Sequence, residues 1–162
     1  MAKRIMAAVF MGIFLVLGAE AAMVSVMVIE TGLPQGERSQ YSERWESSLM
    51  DVFFDEGYIV SNVPILRFDT KQLNEIQRVT SADMKEAGEG GADYFIVVRL
   101  DYASSLQPPD EISFSLFSIS PYKKIYEKQI KGKTYRSVRD EIADLKVIVG
   151  ELVPYLNRET PP

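Results

Sequence analysis

The sequence predicts an α/β domain: a five-stranded mixed sheet packed by three helices, in the order β-α-β-α-β-β-β-α. Three observations carry this. Met23-Val24-Ser25-Val26-Met27-Val28-Ile29 is apolar on both alternate faces and rich in β-branched residues, as a strand covered by helices on both sides reads. Stretches with apolar residues at helical spacing alternate with short strand-like runs, which is the pattern of parallel βαβ units. Three strand signals then follow one another with only proline-containing turns between them, and strands joined so closely pair antiparallel.

Taken in order, the first strand is interior and ends in Thr31-Gly32-Leu33-Pro34-Gln35-Gly36, two glycines and a proline that break it into a loop. Tyr41, Trp45, Leu49, Val52 and Phe53 then form one helical stripe, with Ser39 as N-cap and Gly57 as stop. Tyr58-Ile59-Val60 is the second strand, reached through that helix by a right-handed crossover. Asp69 or Thr70 is the expected cap of a second helix that carries Leu73, Ile76, Met84 and Ala87 and ends at Gly88-Glu89-Gly90-Gly91. From Ala92 to Ala103, Tyr94, Ile96, Val98, Leu100 and Tyr102 alternate on one face, while Phe95 and Val97 give way to Arg99 and Asp101 on the other. Ile112, Phe114 and Leu116 alternate with Ser113 and Ser115, and the apolar phase then shifts to Phe117 and Ile119, as at a bulge. Ile125 to Ile130 is the last strand. The third helix has Val138, Ile142, Leu145, Val149, Leu152 and Leu156 as its buried stripe, Ser137 and Asp140 as an acidic capping box, and Pro154 as a bend near its end.

The 162 residues are one domain's length, with 46% hydrophobic and 25% charged residues, an ordinary globular mix. Histidine and cysteine are both absent, which removes disulfides, thiol nucleophiles, imidazole bases and the commonest metal ligands. No cofactor and no metal site is expected. Residues 1–21 read as a secretory signal peptide: Lys3 and Arg4, an apolar stretch from Ile5 to Leu17, and Ala19-Glu20-Ala21 as the small-residue cleavage site. The competing reading is an uncleaved anchor, since apolar residues resume at Ala22; Glu20 opposes it by placing a carboxylate within the span. Without a cysteine there is no lipid-attachment site. Cleavage after Ala21 removes two bases and one acid and leaves 141 residues with 16 bases and 22 acids, a net of −6. The expected protein is periplasmic or secreted, with a single domain over 22–157, an unstructured tail over 158–162 and no membrane span after cleavage.

This order of elements resembles the small α/β domain shared by the N-terminal domain of TolB, the curli-secretion lipoprotein CsgG and the outer-membrane lipoprotein activators of penicillin-binding proteins. The residues that carry the resemblance are Glu30-Thr31-Gly32 after an apolar first strand, the aromatic-studded helix leading to Gly57-Tyr58-Ile59-Val60, and Gly90-Gly91-Ala92-Asp93-Tyr94-Phe95-Ile96-Val97 opening the third strand. These mark a fold, not an active site. The resemblance implies a non-enzymatic role exercised by binding other envelope proteins; the missing cysteine departs from the lipoprotein members.

The segment Tyr122 to Arg139 holds seven bases and one acid, a local +6 in a mature chain of −6, so that the remainder carries −12. Tyr122, Lys123, Lys124, Tyr126, Lys128, Lys131, Lys133 and Arg136 are the candidate docking residues for an acidic envelope protein. The plainer reading is that the lysines guard an exposed strand edge against aggregation. Nucleic acid is not expected as a partner of an exported acidic protein. A second candidate is the loop with Thr31, Gly32 and Gly36, at the strand end where open α/β sheets bind small ligands, which would make the protein a carrier or sensor. A carboxylate-based hydrolase is the third reading, from Asp51, Asp55 and Glu56 and from Asp83, Glu86, Glu89 and Asp93; their spacing fits no calcium loop and places them on solvated helix faces.

Overall fold

The structure is a computed structural model that describes residues 21–34, 36–69 and 73–159. The expected signal peptide, apart from Ala21, and residues 160–162 of the expected tail lie outside the described residues. The elements are β1 (Met23–Thr31), α1 (Gln40–Asp55), β2 (Ile59–Asn62), β3 (Leu66–Phe68), α2 (Leu73–Glu89), β4 (Tyr94–Asp101), β5 (Glu111–Ser118), β6 (Lys123–Lys131), α3 (Val138–Gly150) and α4 (Val153–Glu159). One mixed sheet runs β2-β1-β4-β5-β6, with β3 also paired to β1. β1 is parallel to β2, β3 and β4, and β4-β5-β6 is the antiparallel meander.

The two faces are built by simple alternation. Val24, Val26 and Val28, then Tyr94 to Tyr102 by twos, then Ile112, Phe114 and Leu116 pack against Trp45, Leu49 and Phe53 of α1, Leu145 and Val149 of α3, and the α4 region. Met27, Ile29, Phe95 and Phe117 point the other way, where α2 brings Met84. Because α2 covers this second face at the Phe95–Phe117 end of β4 and β5, the other end of the two strands presents Arg99, Ser113 and Ser115 there instead of apolar residues.

Local signals held where they rest on neighbouring residues. The Ser39 hydroxyl accepts from the Tyr41 amide at 3.2 Å, and Ser137 from the Asp140 amide at 3.1 Å. Gly57 and Gly91 take positive φ at the ends of α1 and α2, with the Tyr58 amide bonded to Phe53 O and the Ala92 amide to Ala87 O, the Schellman closure.

Four expectations are corrected. An additional strand, β3, makes the sheet six-stranded; three residues, among them Arg67, are too few to show a period, and pairing with β1 alone defines them. The apolar phase does not slip within β5. Phe117 lies on the same face as Ser113 and Ser115, and what changes along that face is its cover, from solvent to α2. A register shift does occur between Leu116 and Phe117, but the extra residue is Ile125 on the partner strand β6. The last helix is two helices, broken at Glu151-Leu152, with Pro154 in the first turn of α4, where its missing N–H costs nothing. Finally, Val138 and Ile142, counted in the buried stripe, are exposed. The expected cap of α2 at Asp69 or Thr70 adjoins residues 70–72, which lie outside the described residues, and α2 is described from Leu73.

Candidate functional site

The basic segment is dispersed by the strand that carries it. β6 is an edge strand whose alternation sends Tyr126, Lys128 and Ile130 to the α3/α4 face, opposite Leu116, Phe114 and Ile112, and Lys124, Gln129 and Lys131 to the other. Tertiary structure then supplies acids that lie outside the segment. Lys128 Nζ donates to Glu151, which raises the lysine's pKa, and Lys133 Nζ lies 3.0 Å from Asp144 Oδ2. The Tyr135 hydroxyl donates to the same Asp144 oxygen at 2.6 Å; these two hydrogen bonds hold the Asp144 carboxyl below its ordinary range. Within the segment, Lys124 pairs with Glu127 at 2.9 Å and lies over the Phe117 ring, on which Tyr122 stacks at 5.9 Å. Tyr126 packs on Tyr155 of α4 at 4.4 Å between centroids. Lys123 is exposed at the start of the strand. Lys131, ending β6, and Arg136, before α3, are exposed and have no ion-pair partner among the described residues.

The second candidate is a crevice of about 270 Å³ at the carboxyl end of β1, lined by Glu30, Leu33, Pro34, Gly36, Glu37, Arg67, Phe68 and Asp69. It lies where the chain leaves β1 for α1 on one face and β3 for α2 on the other, the divergence at which open α/β sheets form ligand crevices. Of the three candidate residues Thr31, Gly32 and Gly36, Gly36 lines it. Thr31 is buried and its hydroxyl donates to Asp101 across the sheet. Gly32, at φ +83°, packs so closely on β4 that a Cβ would stand 2.3 Å from Tyr102 O, so its role is to bring the loop against the sheet. The Tyr102 hydroxyl is bonded to Ser42 at 2.8 Å, and burial pushes its pKa up to about 12.

Sequence reasoning missed the centre of this crevice. Glu30 is 1% exposed; its Oε2 lies 2.7 Å from Arg67 Nε, and its Oε1 accepts from the Ser39 amide at 3.4 Å. A carboxylate ending an otherwise apolar strand needs a cation, which is a readable signal, but the partner sits on the strand that had no signal of its own. The acids of the third reading remain apart from these groups: Asp51 pairs with Lys146 at 3.0 Å, and Asp93 bonds the Met23 amide at 2.8 Å. Burial and the nearby Glu86 raise the Asp83 pKa.

A family model described as "Uncharacterised protein" matches residues 26–151, from within β1 to just past the end of α3. The chain belongs to that family. No curated protein matches it. Among solved structures, a PelC dodecamer from Paraburkholderia phytofirmans is similar, with a TM-score of 0.51 at 15% identity over 83% of this chain and 88% of that one. Lipoprotein GNA1162 from Neisseria meningitidis gives 0.42 at 15% identity, over 85% and 99% of the two chains. Protein XCC0632 from Xanthomonas campestris gives 0.39 at 12%, over 83% of each. At such identities the PelC likeness is one of fold, and family members are expected to share this sheet and its helix layer. Among the described residues, no helix is long and apolar enough to cross a membrane.

Proposed function

We propose that this protein is exported to the bacterial envelope and works there by binding other proteins, without catalysis, through the basic carboxyl end of β6 and the turn into α3. The observation that carries this is the contrast within the basic segment: Lys124, Lys128 and Lys133 are matched by Glu127, Glu151 and Asp144, whereas Lys131 and Arg136 stand exposed and unmatched. Unmatched cations at an open strand edge attract an acidic surface and steer its approach. The resemblance to the N-terminal domain of TolB and to CsgG supports work by protein contact, as does the occurrence of PelC, which shares the fold, as a dodecamer. Export rests on the residues of the first twenty-one positions, and the sheet begins directly after them: the Ala22 carbonyl already accepts from the Ile59 amide at 3.0 Å.

The experiment is capture of partners from envelope extract by the full mature chain, at low and moderate salt, with Lys131→Glu/Arg136→Glu beside it. Exposed charges are screened beyond about 8 Å at physiological ionic strength. Capture of a discrete envelope protein should therefore weaken with salt and fall in the variant. Capture indifferent to both refutes docking at this edge. Lys124 and Lys128 are unsuited to the test, because reversing either breaks an internal pair.

A second reading, a small-ligand carrier or sensor, is favoured by one observation, the Glu30–Arg67 pair at the floor of the crevice beside β1. A thermal shift with a metabolite that Arg67→Ala abolishes would support it.

A further inference from the structure

We propose that the outer face of the α1–α3 layer is an interface between two copies of this chain, related by a two-fold axis running along the groove between the helices. The proposal is independent of docking at β6. The outward stripe of α1 is Gln40, Glu43, Ser47, Asp51 and Phe54, at intervals of three and four, and all five are exposed. The outward stripe of α3 is Arg139, Ala143, Lys146 and Val147, flanked by Ile142, while Asp144 turns away to Tyr135. A surface helix ordinarily shows a polar outer face. Here Phe54 is 73% exposed and Val147 67%, with Ile142 also open, and the groove between the helices has a volume of about 350 Å³ lined by Gln40, Glu43, Arg44, Ser47, Ser48, Asp51 and Ile142.

Charge complementarity selects the occupant. The α1 stripe is acidic, with Glu43 and Asp51, and the α3 stripe is basic, with Arg139 and Lys146. The internal pairs Arg44–Glu141 at 2.6 Å and Asp51–Lys146 at 3.0 Å show that the two helices run parallel and level. A two-fold along their groove therefore lays α1 of one copy over α3 of the other in the same direction and at the same height. Glu43 then faces the second copy's Arg139, Asp51 its Lys146, and Phe54 its Val147, each contact occurring twice. An isologous interface requires this self-complementarity. Phe54 and Val147 meet toward the carboxyl-terminal end of the two stripes, and Ile142 lies in the groove between the charged pairs. Glu43 and Arg139 have no ion-pair partner among the described residues, so each is available for the pairing.

Sedimentation velocity of the full mature chain, run as a concentration series, tests this. A dimer is expected, and Val147→Asp should weaken it about tenfold or more, because it sets a carboxylate against the second copy's Phe54. Val147 is exposed in the single chain, so the variant is expected to fold; an unchanged circular dichroism spectrum checks that. Glu43→Lys and Arg139→Glu should each weaken association, and the two together should restore it. As a control, Lys85→Glu, at an exposed residue of α2 on the other face of the sheet, should leave association unchanged. A monomer at all concentrations overturns the proposal, including the case in which a different protein covers this face. So does association of any order that is indifferent to Val147→Asp, or a double charge reversal that restores nothing.

Discussion

Arg44 of α1 and Glu141 of α3 close the helix layer over the sheet: Arg44 Nη1 stands 2.6 Å from Glu141 Oε2, and the Glu141 side chain is only 4% exposed. Burial raises the Glu141 pKa, and the Arg44 charge and hydrogen bond oppose that rise. Taking away the arginine leaves a buried carboxylate without its counter-charge. Arg44→Ala is therefore expected to destabilise the fold by about 3 kcal/mol in urea unfolding at pH 7, the usual cost of breaking one side of a buried pair, whereas Glu141→Gln costs less. A group with a raised folded-state pKa contributes most below its ordinary value, here 4.5, and loses that contribution as pH rises. The defect of Arg44→Ala should accordingly shrink as pH falls toward that range. A defect constant with pH would show that the lost interaction is packing alone.

Gly32 and Gly36 share a positive φ but differ in surroundings. At Gly32 a Cβ would meet the Tyr102 carbonyl at 2.3 Å, and at Gly36 nothing lies within 4 Å. Gly36→Ala is expected to cost about 1 kcal/mol, the left-handed penalty alone. Gly32→Ala should cost clearly more, because backbone must move as well. Equal losses in thermal melts would mean that the β1–α1 loop relaxes freely.

Asp144 is held ionised by Tyr135 and Lys133. Its lowered pKa contributes stability above the ordinary value of 3.8, and that contribution is lost as pH falls through the folded-state value. Tyr135→Phe removes the first of these hydrogen bonds. In an NMR titration the Asp144 carboxyl should then move up toward its ordinary range, and the variant should lose less stability on acidification. An unmoved titration would leave Lys133 as the sole determinant.

Among the described residues, the first to bond within the sheet is Ala22, so cleavage after Ala21 leaves the described hydrogen bonds of β1 in place. Intact mass of protein recovered from native envelopes should give Ala22, or a residue or two beside it, as the amino terminus. A chain beginning at Val24 lacks the Met23 amide bonded to Asp93 and should melt lower. Recovery of a species with Met1 in the membrane fraction would establish the anchor instead.

Substituting Asp55, Asp83 or Asp93 singly is expected to leave cellular function intact. Loss of function in one such variant that keeps its circular dichroism spectrum would overturn this and point to the carboxylate hydrolase.

What the sequence determined by itself was everything encoded between near neighbours. The period of two in β4, the three-and-four spacing from Tyr41 to Phe53, the Ser39 and Ser137 caps and the glycine stops at Gly57 and Gly91 each rest on contacts within a turn or a strand, so they were legible without a partner. The tertiary structure decided what depends on residues far along the chain. Phe117 read as a phase shift because only the placement of α2 shows that one face of β5 passes from solvent to cover. β3 exists because β1 offers an edge to three residues that carry no period. The basic segment lost much of its apparent excess to Glu151 and Asp144, since charge is summed in space while sequence counts it along the chain. Val147 and Ile142 lie on a helix that is apolar on two sides, and periodicity cannot tell which side the domain's own core takes; the packing of α3 on α1 buries Leu145 and Val149 and leaves the other face to solvent.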